Sequence, residues 1–452
     1  MLNSTEILSN WASKFKYEDL SGTDVNYTRR LIIDYFAASF AGLKINKKFN
    51  DAIESIIIDC RFDGKSNVFG TDNCVSAIEA AFLNACYAHG ADMDDGHKRA
   101  MGHVGAHVIS SVFALAQTVN VTEKQVMEAI VVGYEIYCRV SAAAQPGLVH
   151  RGFHSTGTAG AIACAAACAK LLGLSQEEIY NAMAISVTQA SGLIIVAESG
   201  QAIKPINPAN AARAGIISAL LSQKGVQGAI NPLESKKGWF HAMTNEVDEE
   251  AITKDLGEKF AVSECYFKPY PSCRHTHCGI EAAIEIHNQI RDENIKKVNV
   301  YIYENAIRIA GQILIPQTDD DTKFSIHYSV AYSLLKGSFG ISSINTNVIT
   351  PEIVSLIEKI ELIPTPEMEN KDKGIRGSKL EVITDKNTYT KTIYIPKGDP
   401  EVPFTLDDLR IKLSDCASGY INIEEQSELI NKVMSFGKDT PFSYTDIIEV
   451  FR

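Results

Sequence analysis

From Ala159 to Ala169 the chain reads A-G-A-I-A-C-A-A-A-C-A, seven alanines in eleven residues, ended by Lys170. A helix of this composition has no face to offer water, so neighbouring helices must cover it on every side. It is also well short of the roughly 20 residues that cross a bilayer. A chain with such a segment must fold around it, and a large helical bundle is the simplest way. Other stretches share the texture. Ala77 to His89 reads as a small-residue helix, and Val104 to Val119 as one that is apolar nearly all round. Thr122 opens T-E-K-Q, a capping box that predicts a helix through about Ala142. Ser175 opens S-Q-E-E in the same way, with Leu174 and Ile179 placed as a hydrophobic staple.

From about Cys265 the pattern changes. A helical run near Ile280 to Ile290 is followed by alternating, β-branched or aromatic residues at Val298 to Tyr303. Ser378 to Thr384 and Tyr389 to Ile395 repeat that pattern around a polar D-K-N-T turn, which predicts a hairpin. Helices are expected near Ser325 to Leu335 and Pro351 to Glu358. P-K-G-D-P, Pro396 to Pro400, then punctuates the chain before helical patterning returns. The expected fold is mainly α: a large all-helical domain with a smaller α+β lid domain inserted. The boundaries are residues 1–264 for the first helical part, 265–396 for the lid and 397–452 for the return. At 452 residues, division into more than one core is expected.

Composition excludes several functions. With 43 Lys and Arg against 55 Asp and Glu, the net charge of −12 is unsuited to a phosphate backbone, so no nucleic-acid partner is expected. No basic region followed by an apolar run opens the sequence, and no membrane association is expected. The ten cysteines have no small-scaffold spacing and read as reduced thiols in a cytoplasmic protein. Cys164 and Cys168, one helical turn apart among alanines, suit packing better than bridging.

Four polar clusters could carry chemistry. The densest, A-D-M-D-D-G-H-K-R-A-M-G-H-V-G-A-H, gathers Asp92, Asp94, Asp95, His97, His103 and His107 between two apolar helices. Charges there are either paired or functional, because isolated ones are costly to bury. The plain alternative is a helix end, with Asp94 or Asp95 capping and His107 satisfied in the core. His103 and His107 have i, i+4 spacing, but the Glu of H-E-x-x-H is missing, so zincin chemistry is poorly supported. The second, R-G-F-H-S-T-G-T-A-G, puts His154 at the mouth of the alanine-rich helix, either as part of an anion-binding N-terminus or as a capped start with glycines for packing. The third, K-P-I-N-P-A-N-A-A-R, offers Lys204, which either pairs with an anion or is simply solvated. The fourth, K-P-Y-P-S-C-R-H-T-H-C, contains Lys268, Cys273, Arg274, His275, His277 and Cys278. Its spacing matches no common zinc pattern. Cys273 as a nucleophile would need a lowered pKa, with Lys268, Arg274 and the histidines as candidate causes.

In this order the clusters resemble the MmgE/PrpD family of 2-methylcitrate dehydratase-like proteins. The matching strings are D-M-D-D-G-H, H-V-G-A-H-V, G-F-H-S-T-G-T-A-G, K-P-I-N-P-A-N-A-A-R-A-G, K-P-Y-P-S-C-R-H-T-H and K-F-S-I-H-Y-S-V-A, with P-K-G-D-P as the return from the lid. The resemblance spans nearly the whole chain. It implies a homodimer with its active site in the cleft between helical domain and lid, and no metal or organic cofactor. The family includes 2-methylcitrate dehydratases, cis-aconitate decarboxylases and iminodisuccinate epimerases, which move a proton beside a carboxylate of a small polyacid. Carried over by position, it nominates Asp92, His103, His154, Lys204, Lys268 and Tyr328. Cys273, His97 and Arg274 join them from the clusters themselves.

The chemistry suggests roles. Lys204 and Lys268 would neutralise substrate carboxylates, with His97 and Arg274 as further binding residues. His154 and His103 would serve as general base and acid. Asp92 would orient a histidine or take the proton itself, and Tyr328 would donate a hydrogen bond. Three positions depart from the decarboxylase pattern: Cys273 and Asn207 where histidines are common, and Gly96 where a threonine stands. The expected activity is therefore loss of water from a 2-methylcitrate-like hydroxy acid. An epimerase or isomerase using Cys273 as a second acid/base is the alternative, followed by cis-aconitate decarboxylation. Outside this class stand a metal-dependent hydrolase using Asp94, Asp95, His103 and His107, and a silent binding protein. A basic cleft within the acidic protein is expected, because remote surface charge is screened beyond about 8 Å.

Overall fold

All seventeen residues of the helix Ser155–Leu171 are buried, as its lack of a polar face requires. The computed structural model describes residues 3–59, 63–197, 201–290, 293–370 and 374–449. Its principal helices are α1 (Gly22–Ile45), α2 (Ala77–Gly90), α3 (Gly105–Ala116), α4 (Glu123–Ala143), α5 (Ser155–Leu171), α6 (Gln176–Ser186), α7 (Ile206–Gln223), α8 (His277–Ile290), α9 (Ile326–Lys336) and α10 (Leu406–Ala417). Helix makes up 58% of the chain, so the fold is mainly α. The α5 helix packs against α4 and α7. Small residues let these axes approach closely: a methyl group on Gly215 of α7 would lie 2.2 Å from the Cys164 Cβ of α5. Thr122 and Ser175 both form the capping boxes their sequences predict. No helix among the described residues is long and apolar enough to cross a membrane. The nine described cysteines, Cys164 and Cys168 included, are free thiols.

Buried apolar side chains fall mainly into two clusters. The first draws on both ends of the chain, from Leu8 to Phe267 and from Phe404 to Ile448, with Ile341. The second runs from Cys273 to Val382. It is built on strands β3 (Ile295–Ile302), β4 (Ile360–Pro364), β5 (Ser378–Thr384) and β6 (Thr388–Ile393), in sheet order β6-β5-β3-β4. β5 and β6 form the expected antiparallel hairpin. In β5, Leu380 and Val382 point into the core while Lys379, Glu381 and Ile383 are partly exposed, the alternation of a sheet with one covered face. β4, which pairs parallel to β3, was not anticipated.

Two short strands matter more for function. β1 (Gly96–His97) pairs antiparallel with β2 (Cys265–Tyr266), His97 opposite Cys265. This pairing ties the loop after α2, which carries Asp92 and His103, to the segment that delivers Lys268. The start of α3 corrects one expectation. The helix begins at Gly105, so His103 lies outside it and shares no helical face with His107.

Candidate active site

The α2 helix ends at Gly90, and two residues later Asp92 takes a left-handed backbone, φ 52°. Asp is among the few side chains that tolerate this region, and such strained residues persist where surrounding contacts hold them. Asp92 is held by two lysines. Lys204, just ahead of α7, places Nζ 2.6 Å from Oδ1. Lys268 places Nζ 3.3 Å from the same oxygen and also donates to the Asp92 backbone carbonyl. His103 Nε2 lies 3.4 Å from that oxygen. Burial alone would raise the carboxyl pKa, but Lys204 and Lys268, with His103 and His89, outweigh it and hold Asp92 well below the usual range. Asp92 is therefore an ionised anchor, which removes the expectation that it takes the proton itself.

Behind His103 stands Asp94. The His103 Nδ1 is 3.3 Å from Asp94 Oδ1 and 3.0 Å from the Asp95 carbonyl. The other Asp94 oxygen is 2.8 Å from Nδ1 of His89, whose ring lies 4.7 Å from that of His103. His89 was absent from the expected site. A single histidine in a helix of small apolar residues reads as core, and only the fold shows it one turn from Asp92. Burial pushes the His89 imidazole down to about 4 despite Asp94.

His154 immediately precedes α5. Its Nδ1 is 3.0 Å from Asn207 Nδ2, which also donates to the Leu193 carbonyl at 3.2 Å. Burial, then Lys204, His89 and His103, keep its imidazole well below its ordinary pKa, so His154 is neutral. The hydroxyls at this helix start are committed internally: Ser155 donates to the Met101 carbonyl, and Thr156 accepts from the His103 N–H. The helix start is buried and packed, but its N-cap residue His154 makes no side-chain capping bond.

Cys273 is buried at the edge of the second core, and Asp92, Lys268 and Lys204 all lie within its electrostatic reach. Burial and Asp92 push its thiol up, with the lysines opposing. It is a protonated thiol here, without the lowered pKa that a nucleophilic role would need. A narrow crevice beside Asp92 and Lys204, with about 10 Å³ of internal space, is lined by His89, Asp92, Lys204, Asp320, Lys323 and Phe324 among others. It is less basic than expected, because Lys323 is ion-paired with Asp320. The Asp92–Lys204–Lys268 group still carries one net positive charge.

Three nominated residues stand apart. Tyr328 is fully buried in the second core and donates to the Ser343 carbonyl at 2.6 Å, against Tyr332 and Phe339. Its position at the start of α9 turns it inward, away from the crevice. His97 contacts Glu264 at 3.4 Å and accepts from the Ala100 N–H, beside a separate cavity with Lys98, Arg99 and Arg376. Arg274 is held by Asp399 at 2.5 Å, and Asp399 also takes Lys98 at 2.8 Å. Other side chains of the fourth cluster have separate partners: His275 bonds Tyr303, His277 the Ser272 carbonyl, and Cys278 the Arg376 carbonyl. Among the described residues, the set of three side chains whose ligand atoms all lie within 4.8 Å of one another, as a metal ion would need, is His89, Asp94 and His103. His107 is not one of them.

His107 is fully buried, and among the described residues neither ring nitrogen has a hydrogen-bond partner. Burial pushes its pKa down to about 3, against about 6.5 in the unfolded chain. The unfolded state therefore binds more protons below pH 6.5, and this histidine costs stability as pH falls from 6.5 toward 3. His107→Leu should gain on the parent protein by about 1.4 kcal/mol for each pH unit below 6.5. Urea unfolding of both proteins at pH 7, 6 and 5 measures the gap. A gap independent of pH would refute the assignment.

Fold and site together define a mainly helical protein with two lysines and several imidazoles gathered around one carboxylate. The chain belongs to the MmgE/PrpD family: the model of the MmgE/PrpD N-terminal domain matches residues 6–251 and that of the C-terminal domain residues 270–436. Its relatives include the cis-aconitate decarboxylase-like protein oryM of Aspergillus oryzae, 27% identical over 96% of this chain and 94% of that protein. The cis-aconitate decarboxylase of Homo sapiens is 25% identical over 96% and 92%. The 2-methylcitrate dehydratase of Cupriavidus necator is 21% identical over 78% and 76%. By these names the relatives are lyases.

Proposed function

We propose that this protein is a cofactor-independent lyase that removes a proton next to a carboxylate of a small di- or tricarboxylic acid. The leading reading is loss of water from a 2-methylcitrate-like hydroxy acid. One observation carries it: Lys204 and Lys268 converge on a single carboxylate, Asp92, beside His103. Two cations against one anion leave a positive charge for a substrate carboxylate. The same charge stabilises the negative charge that grows when the adjacent carbon loses its proton. The His103 imidazole, with Asp94 beside it, is the group placed to accept that proton.

Two other outcomes have an observation each. A protonated Cys273 near the lysines supports returning the proton to the carbon, as an epimerase or isomerase requires. The near-full-length similarity to cis-aconitate decarboxylases supports loss of CO₂ instead. Proton NMR in D₂O, with chelator-treated protein and a panel of 2-methylcitrate, citrate, cis- and trans-aconitate and an aspartate-derived imine, separates them. Loss of hydroxy-acid signals with new vinyl signals is the expected result. Deuterium exchange without net loss indicates the isomerase, and CO₂ release from cis-aconitate the decarboxylase. Turnover that chelation abolishes would point to the metal-dependent hydrolase, and binding without any reaction to the silent binding protein.

A further inference from the structure

The two imidazoles nearest the lysines are held in opposite ways. His103 directs Nδ1 at the Asp95 carbonyl and an Asp94 oxygen, and both can only accept. Its Nδ1 therefore carries a proton, and when the ring is neutral the lone pair sits on Nε2, the atom turned toward Asp92. His154 is the reverse. Asn207 Nδ2 lies 3.2 Å from the Leu193 carbonyl, a pure acceptor, so this end of the amide is its NH₂ group and not its oxygen. The same NH₂ group faces His154 Nδ1 at 3.0 Å, which makes Nδ1 the acceptor. A neutral His154 then carries its one proton on Nε2.

We propose that Asn207 is a positioning residue. It fixes His154 as the Nε2–H tautomer, so that His154 donates a hydrogen bond to the substrate oxygen that gains charge and leaves proton removal to His103. This rests on the proton-abstraction reading above. In the first step the bond between carbon and its proton breaks, and a bond from that proton to His103 Nε2 forms. The electron pair delocalises from the carbon into the adjacent carboxylate, where the Lys204 and Lys268 ammonium groups and the His154 N–H face the added charge. His154 keeps its proton throughout, so it contributes as a fixed dipole. Its burial and the nearby Lys204 keep it from becoming imidazolium, consistent with this role.

The assignment is tested on the full-length protein labelled with ¹⁵N-histidine, using His154→Gln to identify the His154 signals. At pH 7 the wild-type Nδ1 should resonate as unprotonated and Nε2 as protonated. Asn207→Asp replaces the donor by an acceptor and should move the proton to Nδ1. It should also lower kcat by about 100-fold or more with KM within threefold. Asn207→Ala should leave a mixture of tautomers and an intermediate rate. Asn207→His, which keeps an N–H donor, should recover much of the loss. An Nδ1–H tautomer in the wild type overturns the proposal without any variant at 207. So does an Asn207→Asp protein with unchanged tautomer and kcat. If no polycarboxylate is turned over, the functional reading fails, while the nitrogen shifts still decide the tautomer.

Discussion

Lys204→Met should lower kcat/KM for the polycarboxylate substrate by about 10²–10³-fold and leave the protein folded. The magnitude is that of removing one preorganised donor from developing negative charge. Asp92 would remain paired with Lys268 and within reach of His103, so no bare buried charge is created. The net positive charge of the group would disappear, and with it the site for a substrate carboxylate. Steady-state kinetics with a thermal melt measures both quantities. A loss below tenfold with an unchanged melt would take Lys204 out of the chemistry. A collapse of the melt would instead make the Lys204–Asp92 pair a structural requirement.

The second large effect is expected at Asp94. This carboxylate is hydrogen-bonded to Nδ1 of His89, and its other oxygen lies 3.3 Å from Nδ1 of His103. In serine proteases, loss of the acid behind the catalytic histidine costs about 10⁴ in kcat, because the imidazole adopts the wrong tautomer. Here the Asp95 carbonyl would still accept from His103, so the tautomer survives and only stabilisation of the imidazolium is lost. Asp94→Asn should therefore lower kcat by about 10²–10³-fold with little change in KM. Equal losses in kcat and binding would mean that Asp94 shapes the crevice and does not support a base.

Much of the scaffold was legible because it follows from local rules. The capping boxes at Thr122 and Ser175 begin helices where their hydroxyl and Gln or Glu pairs require. The hairpin of β5 and β6 was visible in its alternation. The strand Ile360–Pro364 was not, because a short segment just after a helix shows its type only by pairing in parallel with a distant strand. The site divides the same way. The family resemblance nominates Asp92, His103, His154, Lys204 and Lys268, and the fourth cluster nominates Cys273; the structure gathers both lysines and His103 at Asp92. Tyr328, His97 and Arg274 had the same chemistry and similar neighbours in sequence. They lie elsewhere because a side chain's direction depends on the element beneath it and the partner it meets.

The sequence by itself determined that this chain is a large helical protein with an α+β part, because burial of alanine-rich faces and capping are local demands. It also determined which side chains were candidates, since a charge among apolar residues must be paired or used. Only the tertiary structure decided which charges pair with which. Lys204 and Lys268 reach Asp92 across 112 and 176 residues of chain, and Asn207 reaches His154 across 53. Whether an imidazole accepts or donates a proton depends on the group at its other nitrogen, and that group arrives only when distant segments close around it.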